Sequence, residues 1–371
     1  MAVGRRRKWY YKTRMSIRLS IVGAGNIAGA HAAAAAALPD AVEVVAVVDP
    51  REEAAGALAS RCGARAFGSV EAMLGALTPD AAVVCTPPSA RVQPARTLFA
   101  AGCSVLLEKP IAHTVDAAEE LVRLADAHPA AVAVTGFCHR FTPAVDAMVE
   151  LVNAGRIGSV VRCENTFAAD LPHLRDHWMS DSLLAGGGSL IDTGLHSLDL
   201  FAHLFGPATV EGAVFRHGWI GRAESNATVL LRAGDAGGGR IAQADPVAGV
   251  VACGWAENSR FDLRLVGTSG SLFYDFEDAQ TLVLTTAGGV EELSVETHEV
   301  RFTRQLAAFA ERVSGAGSGG PLCPFEGGLD ALRRVGEAAA FDRSTRAAAP
   351  PEPEVELSRD PHDGVLARVG L

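Results

Sequence analysis

The sequence predicts an α/β protein, with a doubly wound parallel sheet in its N-terminal part and an α+β domain on a mostly antiparallel open sheet after it. Three observations lead there. An apolar run from Ile17 meets a glycine turn and then an alanine-rich helical stretch. Four further strand-like runs follow, separated by helical patterns, which is the alternation that builds a parallel sheet. Beyond Ile157 the texture changes to β-branched runs broken by Gly, Asn and Asp, as an antiparallel sheet requires. A chain of 371 residues exceeds what one core usually serves. Two domains are therefore expected, residues 15–138 and residues 139–371, preceded by a basic tail at 1–14.

Composition removes several function classes. Apolar residues make up 49% of the chain and Gly occurs 39 times, which fits a globular α/β enzyme better than a disordered or fibrous protein. A formal charge of -10 at pH 7 argues against a general nucleic-acid binder. The 7 cysteines are scattered without a CxxC pair, so neither a disulfide framework nor a zinc ribbon is expected, and a reducing cytoplasm is the simplest compartment. No apolar run approaches the ~18 residues of a transmembrane helix, so no membrane association is expected. The opening MAVGRRRKWYYKTR is basic, and no apolar signal-peptide core follows it. It is read as a disordered extension, with Met15 opening the folded part.

The first strand, turn and helix, SIRLSIVGAGNIAGAHAAAAAAL, form the context that a dinucleotide fingerprint requires. Gly23 permits the tight turn, and Gly25 lets backbone amides approach a pyrophosphate at the positive helix end, where Asn26 and Ile27 stand; Ala28 takes the third glycine position. The second strand, VEVVAVVDP, ends in Asp49, placed to accept from the adenosine ribose hydroxyls. A carboxylate there repels a 2′-phosphate, so NAD is expected, while Arg51 two residues on leaves NADP open. A glycine turn without a ligand is the plainer alternative. AAVVCT (81–86), SVLLEK (104–109) and AVAVTGF (131–137) continue the sheet, with helical patterns around 70–77, 91–101 and 115–127. Ligands bind outside the carboxyl ends of such strands, which puts Thr86, Pro87 and Pro88, and also Glu108, Lys109 and Pro110, on the nicotinamide side. Apart from Lys8 and Lys12 in the tail, Lys109 is the only lysine. Such a lysine can donate to a substrate oxygen and ease its change of charge; otherwise it is a solvated loop residue.

GFCHRFTP closes the first domain, with Arg140 at the junction and Pro143 suited to the first turn of TPAVDAMVELVNAG. GSVVRCENTF, ATVLLR, GVVACGW, RFDLRLVG, SLFYDF and TLVLTT are the expected strands of the second sheet. One face should cover the cofactor cleft, leaving the other free for a partner subunit. A late helix is expected over Asp330–Phe341 and an extended segment over 347–356. Within this domain, GGGSLIDTGLHSLDL places Asp192, His196 and Asp199 at i, i+4 and i+7 behind three glycines. On a helix they share one face, where a carboxylate one turn before an imidazole can hold the tautomer of a proton-transferring histidine. The plainer reading is a helix N-terminus with Asp192 near the cap. PHLRDHW puts His173 and His177 four apart, a spacing that can bind zinc; no third ligand accompanies them, so no metal is expected.

GAGNIA (23–28), Asp49, TPPSAR (86–91), AGCSVLLEKP (101–110), GFCHRFTP (136–143), GGGSLIDTGLHSLDL (186–200) and FDLRLVGTSGSLFYD (261–275) together resemble the glucose-fructose oxidoreductase, inositol dehydrogenase and rhizopine-catabolism (Gfo/Idh/MocA) oxidoreductases, over nearly the whole chain from about residue 17. The resemblance implies a Rossmann domain followed by an open sheet whose face closes over the nicotinamide. It implies Lys109, Asp192 and His196 as the catalytic group: His196 takes the proton of a secondary hydroxyl as hydride leaves the same carbon, Lys109 binds the oxygen, and Asp192 orients the site. A sugar, cyclitol or related polyol is the implied substrate, with Arg140, His173, Trp178 and Asp199 as further contacts, in a homo-oligomer (dimer or tetramer). The chain departs from the pattern at Pro88 and Arg91, where members often show TPN and a histidine, and at Trp178-Met179, where many have Trp-Arg. A reductase of an imine or conjugated system, or a nucleotide-sensing regulator without turnover, are the alternatives; the complete Lys, Asp and His set weighs against both.

Overall fold

The computed structural model of the chain describes residues 16–217, 223–234, 237–243 and 245–348. The basic tail and nearly all of the 347–356 segment lie outside the described residues. The first sheet is built from β1 (Ile17–Val22), β2 (Val42–Val48), β3 (Arg65–Phe67), β4 (Ala81–Val84), β5 (Ser104–Glu108) and β6 (Ala133–Gly136). Its order is β3-β2-β1-β4-β5-β6, every one of these pairs parallel, and the order reverses between β1 and β4. Helices α1 (Asn26–Ala36), α2 (Glu52–Cys62), α3 (Val70–Leu74), α4 (Val92–Ala100) and α5 (Val115–Asp126) make the connections. Every residue of β4 and of β5 is buried, as a parallel sheet covered on both faces demands.

The junction helix α6 (Pro143–Asn153) starts on its proline. The second sheet contains β7 (Val160–Asp170), β8 (Ala208–Arg216), β9 (Asn226–Ala233), β10 (Val247–Gly254), β11 (Ala256–Gly267), β12 (Gly270–Asp275), β13 (Thr281–Thr286) and β14 (Gly289–Ser294). Its order is β14-β13-β12-β11-β7-β10-β9-β8, antiparallel except for the β7–β10 pair. β9 alternates strictly, with Ala227, Val229 and Leu231 inward and Thr228, Leu230 and Arg232 outward. The inner face packs against α6 and α8 (Leu195–Phe205), with Phe201, Leu204 and Phe205 in the shared core. A short helix, α7 (Ser182–Ala185), precedes that core helix.

After the second sheet the chain returns to the first. Helix α9 (Arg301–Val313) lays Leu306, Ala307, Phe309 and Ala310 against Ile17, Leu19, Ala34 and Ala35. Burying Leu306 and Phe309 contributes on the order of 1.5–3 kcal/mol each. The alanines of α1 let that helix fit between the sheet and α9. β15 (Cys323–Pro324) adds antiparallel to β6, and α10 (Phe325–Ala348) runs past both ends of the expected 330–341 helix, touching α5 on one side and β8 on the other. The cut at residue 138 thus leaves elements of the second stretch packed on the first sheet.

Candidate active site

At the point where the strand order reverses, Gly23 has φ +94, and a Cβ on it would stand 2.9 Å from the carbonyl carbon of Cys85 at the end of β4. Glycine is therefore required by both the turn and the close approach. Gly25, by contrast, faces open space, and α1 begins there without a side-chain cap. Helix amides that no Cβ shields at Gly25 suit a pyrophosphate. Asp49 accepts from the Ala24 amide at 2.8 Å and from the Arg51 amide at 2.9 Å, and the Arg51 guanidinium pairs with it at 3.0 Å. Burial opposes its ionisation, but these hydrogen bonds outweigh burial and hold the carboxyl below its usual range. An anionic Asp49 at the end of β2 fits the ribose hydroxyls of a dinucleotide.

Beyond the ends of β5 and β6 lies a cavity of about 390 Å³, lined by Lys109, His139, Thr193, His196, His298 and Arg301 and by the rings of Phe167, Phe261 and Phe276. Lys109 follows β5, and its ammonium donates to Asp192 twice, to the backbone carbonyl at 2.8 Å and to Oδ1 at 3.0 Å. The indole of Trp255, fully buried, donates to Asp192 Oδ2 at 3.1 Å. Both carboxylate oxygens are thereby held, and the ammonium is aimed into the cavity. The expected Asp192–His196 pairing does not form. Leu190–Gly194 is a π turn ahead of α8, and its wider winding takes Asp192 off the face on which i and i+4 would meet. Asp192 fixes the lysine, and His196 Nδ1 is buried without a hydrogen-bond partner.

His196 lies edge-on to His139, with ring centroids 4.5 Å apart. Burial pushes the pKa of His196 well below its ordinary value, and the neighbouring His139, Lys109 and Arg301 add to the shift. His139 is lowered in the same sense by burial and by Arg301, His298 and Lys109. Both imidazoles are neutral near neutral pH, so each can accept a proton. In GFCHRFTP it is His139, which the sequence does not single out, and not Arg140, that lines the cavity. The tight turn Cys138–Phe141 after β6 sends His139 into the cavity and Arg140 away from it.

Arg140 instead pairs with Asp199 through two bonds, at 2.8 and 2.6 Å, with Asp199 3% exposed. Each residue of that pair was expected at the substrate, and each occupies the other; the pair ties the start of the second stretch to α8. Glu108, expected at the cofactor, points inward to His31 Nε2 at 2.7 Å and accepts from the Lys109 amide. Two of the three glycines before Asp192 are packing positions: a Cβ on Gly186 would meet His113 O at 2.4 Å, and one on Gly188 would meet Glu224 O at 2.0 Å. Buried Glu224, missed in the sequence, accepts from the amides of Gly188 and Leu190 and caps the segment that carries Asp192. His173 and Trp178 are exposed and do not line the cavity; their loop meets the site's supporting shell through Leu174, which packs with Trp255 beside Leu171 and Met179. Thr86 closes its own turn by donating to Ala90 O.

Arg91 explains one departure from the family pattern. It is buried and donates to the carbonyl of Thr86 at 2.9 Å, to that of Lys109 at 3.4 Å, and to those of Glu108 and Pro110. Burial pulls its pKa down to about 10, with Glu108 opposing, so it remains a cation that clasps the end of β4 to the backbone of Lys109. Ligand atoms of Cys138, His139 and His196 lie within 4.8 Å of one another, a grouping unlike the His173 and His177 spacing considered in the sequence. Lys109 and Arg301 surround it with positive charge, which disfavours a divalent cation there.

Two sequence families match the chain: "Oxidoreductase family, NAD-binding Rossmann fold" (GFO_IDH_MocA) over residues 17–136, and the GFO/IDH/MocA C-terminal domain over residues 145–273. A dTDP-3,4-didehydro-2,6-dideoxy-alpha-D-glucose 3-reductase of Streptomyces violaceoruber is 30% identical over 90% of this chain and 93% of its own. The D-glucoside 3-dehydrogenase of Escherichia coli is 32% identical over 52% of this chain and 55% of that protein, so the match spans about half its length. Among solved structures, levoglucosan dehydrogenase in complex with NADH and levoglucosan superposes with a TM-score of 0.76 at 20% identity, covering 88% of this chain and 98% of that one.

Proposed function

Because this chain belongs to the GFO/IDH/MocA family of NAD-binding oxidoreductases, we propose that it interconverts a secondary hydroxyl and the matching ketone on a sugar, cyclitol or related polyol. The observation that carries this reading is the Lys109 ammonium locked on Asp192 in the same cavity as the neutral imidazole of His196. Gly25 with the α1 amides would hold the pyrophosphate of NAD and Asp49 its adenosine ribose, and the bound cofactor would supply or accept the hydride. Lys109 donates to the substrate oxygen and stabilises the negative charge that develops there. His196 accepts the hydroxyl proton during oxidation and returns it during reduction. The rings of Phe167, Phe261 and Phe276 give the same cavity apolar walls. Names of the relatives, a glucoside 3-dehydrogenase and a deoxysugar 3-reductase, support a sugar-like substrate.

We also read the chain as a cytoplasmic homo-oligomer with a domain boundary near residue 138. Its 7 free cysteines suit a reducing compartment. Val161, Val214 and Leu230 are exposed on the second sheet, which supports a partner subunit on the outer face. No helix among the described residues is long and apolar enough to cross a membrane. A cofactor-fluorescence screen of inositols, aldoses, keto-sugars and nucleotide sugars tests the activity. NAD-linked turnover of at least one class is expected; NAD binding without turnover of any would point to a nucleotide-sensing role instead.

A further inference from the structure

Arg301 opens α9 at the cavity wall and has no role in the hydride-transfer scheme. Its guanidinium donates to His298 O at 3.1 Å and lies 5.0 Å from the Phe302 ring centre, while its Nε is buried without a partner. Among the described residues no carboxylate lies within ion-pair distance of it. The charges around it do not balance. Lys109 has Asp192 as its counter-ion, whereas Glu277, the carboxylate on the cavity wall, is exposed and accepts from Ser259 at 2.7 Å. Burial lowers the pKa values of His139, His196 and His298, and Arg301 adds to the shift in all three, with Glu299 opposing at His298. His139, 8% exposed, also has an unpartnered Nδ1.

We propose that the substrate carries an anionic group, a carboxylate or a phosphate, which pairs with Arg301 while its reacting carbon lies at Lys109 and His196. A partly desolvated guanidinium is costly unless an anionic acceptor engages its fork, and carboxylate and phosphate oxygens both do so bidentately. The neutral imidazoles of His139 and His298 then serve the remaining oxygens. This rests on the polyol dehydrogenase reading and narrows its substrate class.

The test is calorimetric titration of the NADH-loaded full chain with D-glucose, D-glucuronate and D-glucose 6-phosphate. At least one anionic sugar should bind about tenfold or more tightly than glucose, and which one does so separates carboxylate from phosphate. Arg301→Gln should bring the ratio close to one, and Arg301→Lys should restore part of it. Equal binding of the three sugars, or a preference that survives Arg301→Gln, overturns the proposal. Equal binding together with NAD-linked turnover of neutral sugars removes the anion site and leaves the dehydrogenase reading standing. Anion preference without turnover of any sugar supports the site and counts against that reading.

Discussion

Lys109 and Asp192, 83 residues apart in sequence, meet in a double contact in which one ammonium donates to both the carboxylate and the backbone carbonyl of the same residue. A lysine held at two points cannot sweep the cavity, so its charge is pre-aimed where an alkoxide develops. The carboxylate in turn is fixed by Trp255.

Asp192→Asn keeps the shape of this contact and removes its charge. Turnover should fall by about 10²-fold, the scale of losing one positioned electrostatic partner, with the thermal midpoint little changed. Trp255→Phe, which removes one donor to the carboxylate, should give a smaller loss in the same direction. Steady-state kinetics beside thermal unfolding checks both.

Cofactor choice depends on Asp49, whose carboxylate is held by Ala24 and Arg51. Asp49→Ser frees Arg51 from its ion pair and removes the repulsion of a 2′-phosphate. NAD affinity should fall and NADP affinity should rise. Parallel titrations with the two cofactors measure the change, and an unaltered preference would show that the ribose is read elsewhere.

Much of this architecture was legible. The strand, glycine turn, helix and acid at 17–49 sit in the predicted order because each piece is local: a buried strand must be apolar, and Gly23 must lack a Cβ against Cys85. Lys109 was legible from its place after a strand. The partners were not. Asp192 was assigned to His196 by helical spacing, and a π turn, which composition does not announce, gave it to Lys109 instead. Arg140 and Asp199 read as polar residues near a cleft, but they are 59 residues apart and satisfy each other. Helix α9 carried a clear signal in the apolar stripe of Leu306, Phe309 and Ala310, yet only the tertiary fold shows that this stripe lands on the first sheet. β3, with three residues between turns, is too short to read as a strand.

Acid should unfold the protein earlier than its carboxylates alone would require. His139 and His196 are pushed well below the ordinary histidine value by burial, and burial with Arg140 and Arg240 takes His203 down to about 3. A histidine with a depressed folded pKa binds fewer protons folded than unfolded. Its stabilising contribution is complete above the unfolded pKa of about 6.5 and falls as the pH drops below that value, by about 1.4 kcal/mol per pH unit for each such histidine until the folded pKa is reached. Denaturant midpoints should therefore decline from about pH 6.5 downward. Midpoints that stay flat to about pH 5 would contradict the buried neutral imidazoles.

The central claim, that His196 moves the proton while Lys109 holds the oxygen, is tested most directly by NADH formation in His196→Ala beside the unaltered chain, on a substrate found in the screen. Turnover should drop by about 10²-fold or more with NAD affinity retained, because the imidazole lines the substrate cavity and is separate from the Gly25 and Asp49 cleft. Near-normal turnover in that variant would contradict the assignment and transfer the proton step to another group of the cavity, His139 first among them.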